Sequence, residues 1–177
     1  LACLRKGVLL KAQGRFEEAR PLLQRAYQLS PSHPEAIREL AGLYDHILQE
    51  TDDVEVRFLL GKLCYTQNDH DRAIGHFQRT VQDFRYENES IKMLGLCFVG
   101  KGMLEFALQE FKKLVIDDEM KEILYDLAQR YETKNDLVGA KQVYRLLFAA
   151  DITYRNVKAK FEMLAGHLPF SSKSSLG

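Results

Sequence analysis

The fold of this chain is decided by residues 53–111, which read DVEVRFLLGKLCYTQNDHDRAIGHFQRTVQDFRYENESIKMLGLCFVGKGMLEFALQEF. This stretch contains one pattern twice, 34 residues apart, because Leu60-Gly61, Ala73 and Phe77 recur as Leu94-Gly95, Ala107 and Phe111. In both copies the alanine follows the glycine by 12 residues and precedes the phenylalanine by four. A fixed period in the thirties, built from small and aromatic residues, predicts an array of helical repeats.

Copies of the same pattern lie on both sides of this stretch. The N-terminal copy has Gly7 and Ala19, and the C-terminal copy has Ala128, Ala140 and Tyr144, with the same intervals. In all four copies, the position five residues before the packing alanine holds glycine or asparagine, namely Gly14, Asn68, Gly102 and Asn135. These residues tolerate a left-handed backbone, so the first helix of each repeat is predicted to stop there.

The pattern fails between the first two copies. Leu40-Ala41 matches the first half of a repeat, but Asp53 stands where the packing alanine should be and Arg57 where the aromatic should be. Residues 34–53 are therefore a half-repeat, either an inserted helix or a repeat that has lost its second helix. We expect the stacking to change here, with Ser32 and Glu35 forming a capping box.

The predicted organisation therefore has four repeats, a half-repeat and a closing helix. The repeats span about residues 1–33, 54–87, 88–120 and 121–153, the half-repeat 34–53 and the closing helix 153–168. That last helix has one apolar stripe and one polar face, as the end of an array requires. Residues 169–177 are serine-rich and are expected to form a flexible tail or linker.

This pattern resembles the tetratricopeptide repeat (TPR) family. The resemblance implies an all-α, right-handed solenoid of stacked antiparallel helix pairs, with the first helices lining a concave groove that receives a partner peptide or helix. Carried over from the family, the groove positions are Phe58, Lys62, Tyr65, Lys92, Leu96, Val99, Tyr125 and Gln129. The alternative for Phe58 and Leu96 is a partly buried structural role. An aromatic and aliphatic groove with two lysines suits an apolar or amphipathic segment.

The composition narrows the function further. Lys plus Arg and Asp plus Glu both number 25, which gives no basic excess for nucleic acid. No apolar run approaches a membrane span. The five histidines and three cysteines show no metal-ligand spacing, and no catalytic motif is present. We therefore predict a non-catalytic interaction scaffold without cofactor or metal. The cysteines favour a reducing, cytoplasmic location.

Two other functions remain open. Because the chain begins at Leu1, we expect it to be one module of a larger protein. It could be a regulatory or dimerisation domain attached to an enzyme such as a bacterial kinase or peptidase. Self-association through the half-repeat or the closing helix is the other alternative.

Overall fold

A computed structural model describes residues 2–167, over which all the regular structure is α-helical. The helices are α1 (Ala2–Ala12), α2 (Phe16–Leu29), α3 (Pro34–Glu50), α4 (Val54–Thr66), α5 (His70–Thr80), α6 (Glu87–Gly100), α7 (Leu104–Phe111), α8 (Asp118–Thr133), α9 (Leu137–Ala150) and α10 (Val157–His167). The predicted tail, residues 169–177, lies outside the described residues. The chain divides into two compact units, Leu1–Lys101 and Gly102–Gly177.

The predicted helix stops are confirmed. Gly14, Asn68, Gly102 and Asn135 have φ values of 74°, 59°, 72° and 57°. Each residue lies two positions after the last residue of a first helix, where a left-handed backbone ends the helix. At Asn68 the next amide continues this geometry, since Asp69 N donates to the Cys64 carbonyl at 3.0 Å. The helix stops at these four positions thus have the same cause, a left-handed backbone conformation.

Small residues set the distance between paired helices in the first unit. The α1–α2 and α4–α5 pairs pack closely, and a Cβ added to Gly61 would lie 2.9 Å from Phe77 Cε1. Ala73 and Phe77 are fully buried between α4 and α5. Burying an aromatic of this size contributes about 1.5–3 kcal/mol. The repeat pattern is therefore the packing pattern of the helix pair.

Helix α3 stands alone between two pairs and packs on both α2 and α4. Its N-cap is His33, whose Nδ1 accepts from Ala36 N at 3.3 Å, so the predicted Ser32 capping box is wrong. Proline at position 34 starts the helix one residue later than the box requires. Asp53 is the N-cap of α4 and accepts a hydrogen bond from Val56 N at 3.1 Å. Position 53 therefore starts a new helix, whereas in a complete repeat it would hold the packing alanine of the second helix.

Because α3 has no paired second helix, the loops that follow the first helices do not all lie at the same edge of the first unit. Short loops join neighbouring helices as antiparallel hairpins, so successive turns alternate between two edges. The ring of Phe16, at the start of α2, lies 4.1 Å from the ring of His46 near the end of α3, as this alternation requires. The turn at Gly14 and the turn at Asn68 therefore lie at opposite edges of the first unit.

The second unit, described from Gly102 to His167, consists of α7 to α10 packed in sequence. Ala140 and Tyr144 are fully buried, and a Cβ on Gly139 would lie 2.3 Å from Tyr131 Cδ1. Helix α8 begins at the acidic run, where Asp117 accepts from Met120 N at 2.8 Å. The two acidic residues after it occupy the first turn of α8 and favour the positive end of its dipole. Val157 and Leu164 bury the apolar side of α10.

Candidate functional site

Phe58 is a buried member of the predicted groove, with 6% of its surface exposed. The ring of Tyr86 stacks on it at a centroid distance of 4.9 Å, and Phe77 meets it edge-on at 5.8 Å. Lys62 Nζ lies 5.6 Å from the centre of the same ring. Phe58 is thus covered on several sides, and its burial favours the structural interpretation over direct contact with a partner.

Tyr125 has a closely similar environment in the second unit. It is buried, and the rings of Tyr144 and Tyr154 lie edge-on at 6.0 and 6.1 Å. The Arg155 guanidinium lies 4.6 Å from the Tyr125 ring centre, a distance that gives a cation–π contact. The Tyr125 hydroxyl donates to Asn156 Oδ1 at 2.8 Å. Tyr125 therefore fixes the turn before α10 to α8.

The same type of turn places a tyrosine over Phe58 and over Tyr125. In each case an aspartate three residues before the covering tyrosine accepts a backbone hydrogen bond. Asp83 accepts from Arg85 N at 3.0 Å, and Asp151 accepts from Thr153 N at 3.0 Å. The aspartate folds the turn, and the tyrosine then packs against the helix behind it. The sequence pattern predicted no turn around Tyr86 and placed Tyr154 in the closing helix, although the Asp-to-Tyr spacing of three residues repeats at 83/86 and 151/154.

The other predicted groove residues are more accessible. Tyr65 on α4 and Leu96 and Val99 on α6 are half-buried, and α4 and α6 contact each other. The Tyr65 ring lies 5.6 Å from His70. In the second unit, Gln129 is exposed on α8. The first unit therefore retains an apolar surface along two of its first helices.

One of the two lysines on that surface adds little net charge to it. Lys92 is half-buried, with its Nζ 2.8 Å from Glu89 Oε2, so its charge is paired. Lys62 is half-buried against Phe58. A surface of this kind presents more apolar than ionic contact to a binding partner.

The first unit has a cleft between α2, α3 and α4, with a volume of about 380 Å³. Its buried floor is formed by Leu40, Tyr44 and Leu63. The Tyr44 hydroxyl accepts from Gln24 Nε2 at 2.8 Å, and burial raises the pKa of Tyr44. Of the predicted site residues, Lys62 lines this cleft. The cleft exists because the lone helix α3 separates α2 from α4.

Two of the three cysteines lack the features of a reactive site. Cys64 and Cys97 are fully buried free thiols, and burial raises the pKa of both, that of Cys97 to about 12. At neutral pH both are protonated, whereas the thiolate is the nucleophile and metal ligand. Among the residues that the structure describes, no three His, Cys, Asp or Glu side chains group as a metal site would require. Over the same residues, no helix is both long and apolar enough to span a membrane.

Comparison with known families and structures agrees with this geometry. Two family models, both described as tetratricopeptide repeat, match residues 10–47 and 44–88. A structure of MamA from AMB-1 aligns with a TM-score of 0.55 at 17% identity, covering 89% of this chain and 94% of that one. A second MamA structure aligns with a TM-score of 0.50 at 18% identity, covering 91% and 94%. At these identities the likeness shows the fold alone.

YrrB, a TPR protein with an unusual peptide-binding site, also aligns, with a TM-score of 0.48 at 18% identity over 94% of this chain and 90% of that chain. No curated protein matches the sequence at a significant level.

Proposed function

The chain belongs to the tetratricopeptide repeat family, whose repeats indicate a protein–protein interaction scaffold, and we propose that it binds a partner segment along α4 and α6 of its first unit. The proposed role is non-catalytic. The observation that carries it is the half-buried apolar surface formed by Tyr65, Leu96 and Val99 on two first helices in contact with each other. Apolar side chains held at partial exposure on rigid helices can bury further area when a partner docks.

The chemistry of this surface defines the kind of segment. Because Lys92 is paired with Glu89, an acidic tail would have to compete with an existing ion pair. An amphipathic helix or apolar peptide gains contact without breaking that pair, and its charged face stays in water. In this proposal Phe58 and Tyr125 have a structural role, because each packs its helix against the turn that covers it.

A capture experiment tests the proposal. The parent chain and a Leu96→Glu, Val99→Glu variant are immobilised, and bound proteins are identified by mass spectrometry. Because both positions are half-buried and not exposed, circular dichroism is used to check that the helicity of the variant equals that of the parent. Val138→Glu is the matched control, because Val138 is an exposed apolar residue on α9 of the second unit.

We expect a partner that the parent and the control capture and the double variant loses. A partner retained by the double variant, with its helicity intact, would exclude the α4–α6 surface. Once the partner is known, its shortest binding segment can be titrated against the parent by fluorescence anisotropy. An apolar or amphipathic segment agrees with the proposal, and a purely acidic one contradicts it.

A further inference from the structure

Helix α10 is less deeply buried than α8 and α9, the two helices that it contacts. Among its described side chains, residues 157–166, Val157 and Leu164 are buried, whereas α8 and α9 have six and five buried residues. The ring of Phe161 adds a contact with Phe148 on α9, at a centroid distance of 5.3 Å. A helix with so few buried apolar contacts gains little from the hydrophobic effect, so it can open locally while α8 and α9 stay folded.

Hydrogen bonds and ion pairs attach the start of α10, and the turn before it, to α8. Glu122 on α8 accepts hydrogen bonds from the Tyr154 hydroxyl and the Arg155 guanidinium. Lys160 Nζ on α10 donates to both carboxylate oxygens of Glu132, at 2.9 and 3.0 Å. The side chains of Arg155 and Glu122 are 43% and 54% exposed, so dissolved salt screens this pair. The attachment of α10 to α8 therefore depends on ionic strength.

The ring of Tyr125 lies under the turn that precedes α10. The Arg155 guanidinium lies over its face and Asn156 accepts a hydrogen bond from its hydroxyl, and only 7% of Tyr125 is exposed. Arg155 has a φ of 47°, in the left-handed region that residues other than glycine seldom adopt. The backbone that holds Arg155 over the ring is therefore strained, and opening of the turn releases that strain.

We propose that residues 151–167, hereafter the lid, open as one unit in a salt-sensitive manner and uncover the Tyr125 ring on α8. When the lid is closed, Tyr125 has the structural role described above. When the lid is open, the ring faces solvent on a helix that stays folded, and tyrosine is a preferred contact residue at protein interfaces. The lid therefore controls when this part of α8 can contact another molecule. This inference goes beyond the proposed function, because it concerns the second unit and needs no partner.

Hydrogen exchange of the chain, followed by mass spectrometry, measures the opening of the lid. Peptides from the lid should exchange about tenfold faster, or more, than peptides from α8 and α9, because local opening costs less free energy than unfolding of the unit. Raising NaCl from about 20 mM to about 500 mM shortens the Debye length from about 20 Å to about 4 Å. Over this range lid exchange should rise about threefold or more, while exchange in α8 and α9 stays unchanged.

A pair of glutamate variants tests whether the ion pairs hold the lid closed. Glu132→Gln removes the ion pair with Lys160, and glutamine keeps the size and helix propensity of glutamate. At about 20 mM NaCl this variant should raise lid exchange about threefold or more, and its exchange should respond less to added salt. Glu162→Gln is the matched control, because Glu162 is exposed on α10 and undergoes the same change of charge. The control should exchange as the parent does.

Acetylation of tyrosine hydroxyls by N-acetylimidazole, mapped by mass spectrometry, tests whether opening uncovers Tyr125. Its acetylation rate should rise with salt, and in Glu132→Gln, in proportion to lid exchange. Lid exchange as slow as that of α9, or lid exchange that responds neither to salt nor to Glu132→Gln, would overturn the proposal. So would a Tyr125 that stays unreactive while α10 exchanges rapidly, because α10 would then only fray from its C-terminal end. None of these results bears on Leu96 and Val99, so the two proposals can fail separately.

Discussion

Gly61 and Gly75 provide a matched pair for testing how closely α4 and α5 pack. Both are helical glycines of one helix pair, so Gly→Ala gives each about 0.5–1 kcal/mol of helix stability. Their surroundings differ. A Cβ on Gly61 would lie 2.9 Å from Phe77 Cε1 and 3.2 Å from His76 Cβ, whereas a Cβ on Gly75 would have nothing within 4 Å.

The expected change in the free energy of unfolding follows from these contacts. Phe77 is fully buried and cannot move away freely, so the added methyl at position 61 overpacks the pair at a cost of about 1–3 kcal/mol. Subtracting the helix gain leaves Gly61→Ala less stable than the parent by about 0–2.5 kcal/mol. Gly75→Ala should be more stable by about 0.5–1 kcal/mol.

Urea denaturation followed by circular dichroism at 222 nm measures both variants. The decisive quantity is the difference between them, because it cancels the common helix term and isolates the contact with Phe77. Gly61→Ala should unfold at lower urea than Gly75→Ala by about 1–3 kcal/mol in unfolding free energy. If Gly61→Ala proves as stable as Gly75→Ala, the close approach of α4 and α5 is wrong.

Three further predictions follow from single contacts. Gly14→Ala should destabilise the chain by about 1–2 kcal/mol, because φ is +74° although the site has room for a Cβ; an unchanged melting temperature would contradict this. Asp53→Ala should cost about 0.5–2 kcal/mol through loss of the α4 N-cap, measured by urea denaturation; no loss would refute the cap. Burial raises the pKa of the Cys97 thiol from its ordinary 9.0, which applies in the unfolded chain, to about 12 in the folded chain, so the free energy of unfolding should fall as pH rises through this window. Cys97→Ala should flatten that decline above about pH 9, and an equally steep decline in the variant would assign it to other groups.

The sequence predicts those features of the fold that have local causes. The left-handed stops at Asn68 and Asn135 depend on the backbone preference of one residue and could be placed from a single spacing. The burial of Ala73 and Phe77 follows from the same period. The N-cap at His33 was missed because Ser32 is the better intrinsic cap, and Pro34 shifts the start of the helix.

The candidate site was less predictable because it depends on contacts between distant segments. Whether Phe58 is open or covered is decided by Tyr86, 28 residues later, which no helical period places against it. The same holds for Tyr125 and Tyr154. The cleft beside Tyr44 arises from how α2 and α4 pack around α3, and a failed repeat in the sequence indicates only that some change in stacking occurs.

Hydrogen exchange of the chain, measured with and without its captured partner, locates the binding surface directly. Exchange is followed by mass spectrometry on peptides that cover α4 and α6. We expect slower exchange in the partner-bound state along these two helices, around Tyr65, Leu96 and Val99. Protection that is confined to α9, with α4 and α6 unchanged, would show that the partner binds elsewhere and would contradict the proposed binding surface.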